Sequence, residues 1–175
     1  MKPRGLLMIE HRLIEKVLIV AREKANIMTE KTYNPLFIDT IVDFIRTYAD
    51  RTHHGKEEDI LFKKLENKKL NAEDKKIMTE LINEHTQARQ KVKEIYELNT
   101  KYRNGNLKVV SKIAEIINWL SVFYPVHIAK EDKVFFVNTE KYFDQEELES
   151  LLEEFYAFDQ KMIHEKYQNV YKQLI

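Results

Sequence analysis

Apolar residues recur along the chain at the three- and four-residue spacing of helices that face a protein core. In the N-terminal segment this stripe contains Leu7, Met8, Ile14 and Leu18. The chain has only three glycines and three prolines, which favours a few long helices joined by short loops. The pattern therefore predicts an all-α protein without strands.

Five helices are predicted, with approximate bounds 6–28, 35–65, 71–102, 107–136 and 144–174. Asn34 before Pro35 is typical of a helix start, because asparagine caps exposed amides and proline suits the first turn. Asn71 and Asp144 are predicted to begin helices in the same way, and Gly105 is predicted to end one.

Composition excludes several classes of function. The 175 residues include no cysteine, so disulfides, thiolate zinc sites and iron–sulfur clusters are excluded. The 29 basic and 29 acidic residues are interspersed without a basic stripe, which argues against nucleic-acid binding. No signal-peptide pattern and no run of about 20 apolar residues was found, so we expect a soluble cytoplasmic protein without a membrane partner.

Histidines and glutamates occur in two matching sets. The sets are His11, His53 and Glu57, and His85, His127 and Glu131. In each set the two histidines are 42 residues apart, and the second set follows the first at an offset of 74 residues. Scattered surface histidines would not keep this register, so the repeat indicates a shared role.

The same spacing predicts that the two sets meet in space. The helical lengths on either side of the first loop are nearly equal, so an antiparallel hairpin brings His11 and His53 to one height. A single histidine on an apolar face is usually a hydrogen-bonded core residue, and a His–Glu pair is usually a solvated ion pair. Four imidazoles and two carboxylates buried in one layer are costly, however, unless cations compensate them.

Nitrogen and oxygen ligands without sulfur suit iron, manganese or zinc. One six-coordinate ion would use all six side chains and leave no open position. Two ions that share the glutamates would each bind two histidines and keep room for a bridging oxide or hydroxide and an exchangeable ligand. Such open positions are needed for chemistry with dioxygen, nitric oxide or peroxide.

Four segments resemble the hemerythrin-like family, also called HHE cation-binding domains: MIEHRLIE, HHGKEEDILF, NEHTQAR and HIAKEDKVFF. The resemblance covers roughly residues 1–136. It implies an up-and-down antiparallel four-helix bundle around a di-iron centre with an oxo or hydroxo bridge, held by the six side chains above. The chain is then one domain, 1–175, with a core bundle at 1–136 and a C-terminal helical extension at 137–175.

The chain departs from oxygen-carrying members at two positions. Arg89 stands where they have a second histidine of the third helix, and Glu131 follows the last histidine by four residues, where they use an aspartate five residues on. Four histidines with two glutamates look more like the proteins that repair iron centres after nitrosative or oxidative stress. We therefore expect a di-iron protein of sensing, stress defence or iron-centre repair, with enzymatic activity left open.

Two alternatives remain at this point. In one, the metal only stabilises a regulatory or interaction module, to which the charged terminal helix contributes. In the other, the chain is a plain helical bundle that binds no metal.

Two further histidines are not expected to bind metal. His54 and Glu58 form a second His–Glu pair one position on, but the equivalent of His54 in the repeat is Ile128. His164 lies outside the repeat and is expected to be structural or exposed.

Polar residues near the ligands are expected to support the site. Asp50 and Tyr124 each precede a ligand histidine by three residues and are candidates to hydrogen-bond a ligand or a bound small molecule. Glu15 and Arg89 are expected to pair near the mouth of the site. The glutamates that precede the first and third ligand histidines, Glu10 and Glu84, are expected to face a neighbouring helix.

Overall fold

A computed structural model describes the backbone of residues 1–174 and the side chains of residues 1–166 and 168. Five long helices follow one another. They are α1 (Pro3–Asn26), α2 (35–66), α3 (Ala72–Arg103), α4 (Leu107–Tyr142) and α5 (Gln145–Leu174). No strand occurs within the described residues, so the predicted all-α class is confirmed. The predicted end of the fourth helix at Phe136 is wrong, because an α-helical turn, Phe136–Thr139, and a 3₁₀ turn, Glu140–Tyr142, extend α4.

The residues predicted to begin and end helices do so. The Asn34 side chain accepts hydrogen bonds from the second and third backbone amides of α2, and the Asn71 side chain accepts one from the Asp74 amide of α3. Gly105 has a φ of 95°, a conformation that glycine adopts without strain, and it separates α3 from α4. At the start of α5, Asp144 and Glu147 each accept a hydrogen bond from the other's backbone amide.

Parts of α2 and α4 are π-helical. The π-helical segments are Ile45–His54 and Glu57–Phe62 in α2 and Glu131–Phe135 in α4. They contain His53, Glu57 and Glu131, whereas His127 lies in the α-helical part of α4. π-Helical turns within α-helices are frequently found at functional sites. The sequence pattern was interpreted with α-helical spacing throughout, so these wider turns were not predicted.

Helices α1 and α4 pack against each other in opposite directions. Near the end of α1 the Ser121 hydroxyl donates a hydrogen bond to the Leu18 carbonyl at 3.3 Å. Nearer its start, His11 contacts Asp132 at 2.7 Å. The two helices are therefore antiparallel, because a later residue of α1 contacts an earlier residue of α4.

Helices α2 and α3 are also antiparallel. The Asn99 amide donates to the Asp39 carboxylate at 2.7 Å, and His85 contacts Glu58 at 2.6 Å.

Two apolar clusters lie on either side of a buried polar layer. The first is built from α1 to α4 and includes Leu18 and Ile95, and the second includes Leu7 together with Leu151 and Phe155 of α5. On α1, for example, the predicted ligand lies between Leu7 of one cluster and Ile14 of the other. The predicted ligands are therefore enclosed by apolar side chains above and below.

Among the described residues, Leu107–Tyr142 is long and apolar enough to cross a membrane by length and composition. The sequence was expected to contain no such segment. A core helix meets the same criterion, and α4 carries the buried side chains of His127 and Glu131. This single helix is therefore weak evidence for a membrane span.

Candidate metal centre

All six predicted ligands lie in the polar layer between the two apolar clusters. None of the six side chains is more than 2% exposed. The layer takes one side chain from α1, one from α3, and a histidine and a glutamate from each of α2 and α4. The structure thus brings together the whole set that the repeat predicted.

Four of these side chains form a first group. The group is His11, His53, Glu57 and Glu131, and its potential ligand atoms all lie within 4.8 Å of one another. His11 Nε2 is 3.2 Å from Glu131 Oε2, and His53 Nε2 is 3.4 Å from Glu57 Oε1. The first hairpin therefore places its two histidines at one height, as expected from its lengths.

A second group contains His54, His85 and His127, whose potential ligand atoms also lie within 4.8 Å of one another. The Nε2 atoms of His85 and His127 are 3.2 Å apart. The His54 ring stacks on the His85 ring with centroids 3.8 Å apart. His54 was not among the predicted ligands, and the structure places it beside two of them in this group.

The π-helical turn accounts for the position of His54. The repeat favoured His53 over its neighbour, because the equivalent of His54 is Ile128. In the π-helical segment both side chains lie inside, with His53 1% and His54 2% exposed. The adjacent histidines themselves were the available signal in the sequence.

Each glutamate faces both groups. Glu131 Oε2 lies 3.2 Å from His11 Nε2, and Glu131 Oε1 lies 3.2 Å from His127 Nε2. Glu57 Oε1 lies 3.4 Å from His53 Nε2, and Glu57 Oε2 lies 3.5 Å from His85 Nε2. Two carboxylates that each offer one oxygen to either side suit a pair of bridged ions better than a single ion.

The protein leaves six atoms of this layer without hydrogen bonds. Among the described residues, no partner is found for Nε2 of His11, Nε2 of His53, or any carboxylate oxygen of Glu57 and Glu131. His11 Nε2 and Glu131 Oε2 are close, but they do not meet the geometry of a hydrogen bond. Each buried unsatisfied polar atom costs about 1–3 kcal/mol. A set of converging nitrogen and oxygen donors of this kind fits iron, manganese or zinc.

The outer nitrogen of every histidine in the two groups is held by a carboxylate. The Nδ1–carboxylate pairs are His11–Asp132 at 2.7 Å, His53–Glu10 at 2.8 Å, His54–Asp50 at 3.3 Å, His85–Glu58 at 2.6 Å and His127–Glu84 at 2.8 Å. Metal-binding histidines commonly donate their second ring N–H to a carboxylate, which fixes the tautomer and the ring orientation. Glu10 and Glu84 thus face a neighbouring helix, as expected.

A cation contacts each of these outer carboxylates. The cation–carboxylate pairs are Arg12–Asp132, Lys56–Glu10, Lys130–Glu84, Arg89–Asp50 and Arg89–Glu58. Each histidine is therefore the inner end of a chain that runs from imidazole to carboxylate to cation.

The predicted pairing of Glu15 with Arg89 is wrong. Arg89 donates to Asp50 and Glu58 at 2.7 Å each, whereas Glu15 pairs with Arg12 at 2.8 Å. Arg89 lies on α3, which packs against α2 and α4, whereas Glu15 lies on α1, which packs mainly against α4. The two side chains therefore face different neighbours.

Charges within the layer shift the pKa values of the histidines in opposite directions. Burial alone would lower the pKa of His11, but the carboxylates of Asp132 and Glu131 outweigh burial and raise it to about 9. For His127, burial is likewise outweighed by Glu131 and Glu84, and its pKa rises to about 10. Burial, together with the neighbouring histidines, instead lowers the pKa of His54 well below its usual value.

Two other side chains with an expected role, Tyr124 and His164, lie outside the two histidine groups. Tyr124 is buried, and its hydroxyl has no hydrogen-bond partner among the described residues. It lines a small cavity together with His54, Asp50 and Arg89. His164 is exposed on α5, as expected.

Replacing His54 tests the second group. We expect His54→Ala to lose one of two bound ions, or to bind it at least roughly 10–100-fold more weakly, since even the loss of an outer partner has that effect. Metal content after removal of loose ions measures this, and His164→Ala is the matched control. Retention of both ions with unchanged affinity by His54→Ala would exclude His54 as a ligand.

A comparison with protein-family models matches residues 3–139 to the family described as hemerythrin HHE cation binding domain. Comparisons with curated proteins and with solved structures found no match. The matched residues include both histidine groups and both glutamates, whereas α5 lies outside them.

Proposed function

The chain belongs to the hemerythrin HHE cation-binding domain family, and from this we propose that it is a non-heme di-iron protein that binds or reacts with dioxygen, nitric oxide or peroxide. The observation that carries the proposal is the position of Glu57 and Glu131, each of which offers one carboxylate oxygen to either group of histidines. Family membership supports cation binding, and the choice of iron is part of the proposal.

The two groups would hold their ions unequally. One ion would take His11 and His53 together with one oxygen from each glutamate, which makes four protein donors. The other would take the three histidines of the second group with the remaining glutamate oxygens, which makes five. The ion beside His11 and His53 therefore has more open positions, and we propose that the exchangeable small ligand binds on that side.

A pair of iron ions, when bound, would supply open coordination positions and one-electron redox steps. The protein's own contribution is to hold the ligands in place and to exclude water. The outer carboxylates orient the imidazoles, and the apolar clusters close the layer from both sides.

The proposed architecture is the family's up-and-down four-helix bundle, with α1 to α4 as its members. The antiparallel contacts of α1 with α4 and of α2 with α3 support it. We propose a soluble, cytoplasmic location, for which the absence of cysteine and the family membership are the support.

The role within this class depends on whether ligand binding is reversible. The expectation of stress chemistry, and not oxygen carriage, rested on Arg89 and Glu131, at which the chain departs from oxygen carriers, and on a count of four histidines. His54 raises the number of histidines in the layer to five, so that count no longer separates the two roles. We propose sensing, stress defence or iron-centre repair as the setting, and repeated exposure to dioxygen separates these roles from carriage. A carrier returns to its reduced state unchanged, whereas a reactive centre is oxidised.

Metal content with an absorption spectrum tests the proposal. Protein produced with ample iron is expected to carry about two irons per chain. In the oxidised state it should show charge-transfer bands that disappear on reduction and shift when azide is added. A protein that stays colourless and metal-free after anaerobic reconstitution with ferrous iron would overturn the proposal.

The alternative is a metal-stabilised interaction module without redox chemistry of its own. This alternative would require the terminal helix α5 to be free to bind a partner. In the structure Leu151 and Phe155 of α5 are at most 1% exposed and belong to the second apolar cluster. These contacts favour α5 as an integral part of the domain.

A further inference from the structure

Lys56 is buried at the junction of α1, α2 and α5. Its side chain is 0% exposed, and its ammonium group contacts Glu10 of α1 and, at 2.6 Å, the Asp159 carboxylate of α5. A buried lysine is rare, and leaving it without a full set of partners is costly. Asp159 is therefore part of what keeps this ammonium group inside the protein.

From Lys56 the contacts continue to the metal layer. The second oxygen of Glu10 accepts a hydrogen bond from His53 Nδ1 at 2.8 Å. An unbroken path thus leads from Asp159 on α5, through Lys56 and Glu10, to a histidine of the first group.

The internal repeat provides a comparison within the same molecule. At an offset of 74 residues, Lys130, Glu84 and His127 form the same chain of contacts. There the lysine side chain is 26% exposed, and its second carboxylate is Glu80 of α3, at 3.3 Å and 42% exposed. The bundle therefore forms this chain of contacts without a covering helix, and α5 buries only the copy that ends at His53.

We propose that Asp159 is a positioning residue, and that α5 acts through Lys56 and Glu10 to fix the orientation of His53. The inference rests on the proposed function in that His53 is taken as a metal ligand. Docking of α5 would then control how firmly the more open of the two ions is held. The other ion, on the side of His127, would not depend on α5.

Release of zinc to a chelator tests the proposal without iron chemistry. In Asp159→Ala one of the two ions is expected to leave about 10–100-fold faster than in the unmodified protein, as is typical when an outer partner of a ligand is lost. The other ion should leave at the original rate, and Asp159→Glu should restore part of the difference.

Two matched controls separate positioning from general loosening. Glu154 of α5 pairs with Lys64 of α2 at 2.8 Å on the exposed surface, and Glu80 is the second carboxylate that contacts Lys130. Glu154→Ala is expected to release both ions at the original rates, and Glu80→Ala should leave the ion at His53 unaffected. Equal acceleration of both ions in Asp159→Ala, or no acceleration at all, would overturn the proposal.

Nitrogen NMR of the histidines in the metal-free protein keeps this inference separate from the proposed function. Asp159→Ala is expected to shift the Nδ1 signal of His53 and to leave that of His127 unchanged. Unchanged His53 signals would overturn the positioning role. Failure of the protein to bind any metal would instead overturn the proposed function, and the NMR comparison would still decide the role of Asp159.

Discussion

Glu131→Ala is expected to lose both metal ions, whereas the loss of any single histidine affects one. Glu131 offers Oε2 to His11 and Oε1 to His127, so its removal takes one donor from each ion. It also removes a fully buried negative charge that faces histidines of both groups. Glu57→Ala is expected to behave in the same way, because its oxygens face His53 and His85.

Metal content and circular dichroism measure this outcome together. Bound metal should fall from two ions to less than about one per chain, while the helical signal is kept. Glu140→Ala, further along α4 where the glutamate pairs with Arg4 at 2.9 Å, is the matched control and should keep both ions. A Glu131→Ala protein that still binds two ions would show that this carboxylate is not shared between them.

Removing the metal is expected to lower the thermal stability of the protein markedly. The layer contains six buried atoms without hydrogen-bond partners among the described residues, and each such atom costs about 1–3 kcal/mol. An ion present at 100 times its dissociation constant stabilises the folded state by about 2.7 kcal/mol, so two ions would contribute roughly 5 kcal/mol. In a protein of this size that corresponds to a change in Tm of roughly 10–20 °C.

Thermal unfolding with and without a chelator checks this expectation. The Tm should fall when metal is withdrawn and recover when iron is returned. The double variant with His11→Ala and His85→Ala loses a ligand from each ion, so its Tm should not respond to metal. An unmodified protein whose Tm is the same in both conditions would contradict a metal that compensates the buried polar layer.

The sequence was sufficient to predict the helices and the six central side chains. Helix ends follow from local signals, such as the amide-capping side chain of Asn34 and the positive φ of Gly105. The six candidate ligands follow from the 74-residue offset between the two sets, which does not depend on where the helices end. Both kinds of signal are local or periodic, which is why they were readable without a structure.

Other features of the site depend on how the helices pack. His54 was set aside because its equivalent in the repeat is Ile128, and the π-helical turn in which it lies is not visible in an α-helical pattern. Asp132 and Glu58 follow Glu131 and Glu57 in the sequence, but which histidine each contacts depends on how the helices pack across the layer. The contact of Asp159 with Lys56 has no counterpart in the repeat that would have predicted it.

One part of the outer layer was within reach of the sequence. Glu10 and Lys56 recur as Glu84 and Lys130 at the same offset of 74 residues as the histidines. The repeat therefore includes the outer carboxylate and its lysine as well as the histidine, and the lysines could have been predicted from it.

The central claim is that two ions lie side by side with Glu57 and Glu131 between them. Anomalous diffraction from crystals of the iron-loaded protein tests it most directly. The account predicts two iron peaks roughly 3.5–4 Å apart, one beside His11 and His53 and the other beside the three histidines of the second group. A single peak, or peaks that Glu57 and Glu131 do not both contact, would contradict it.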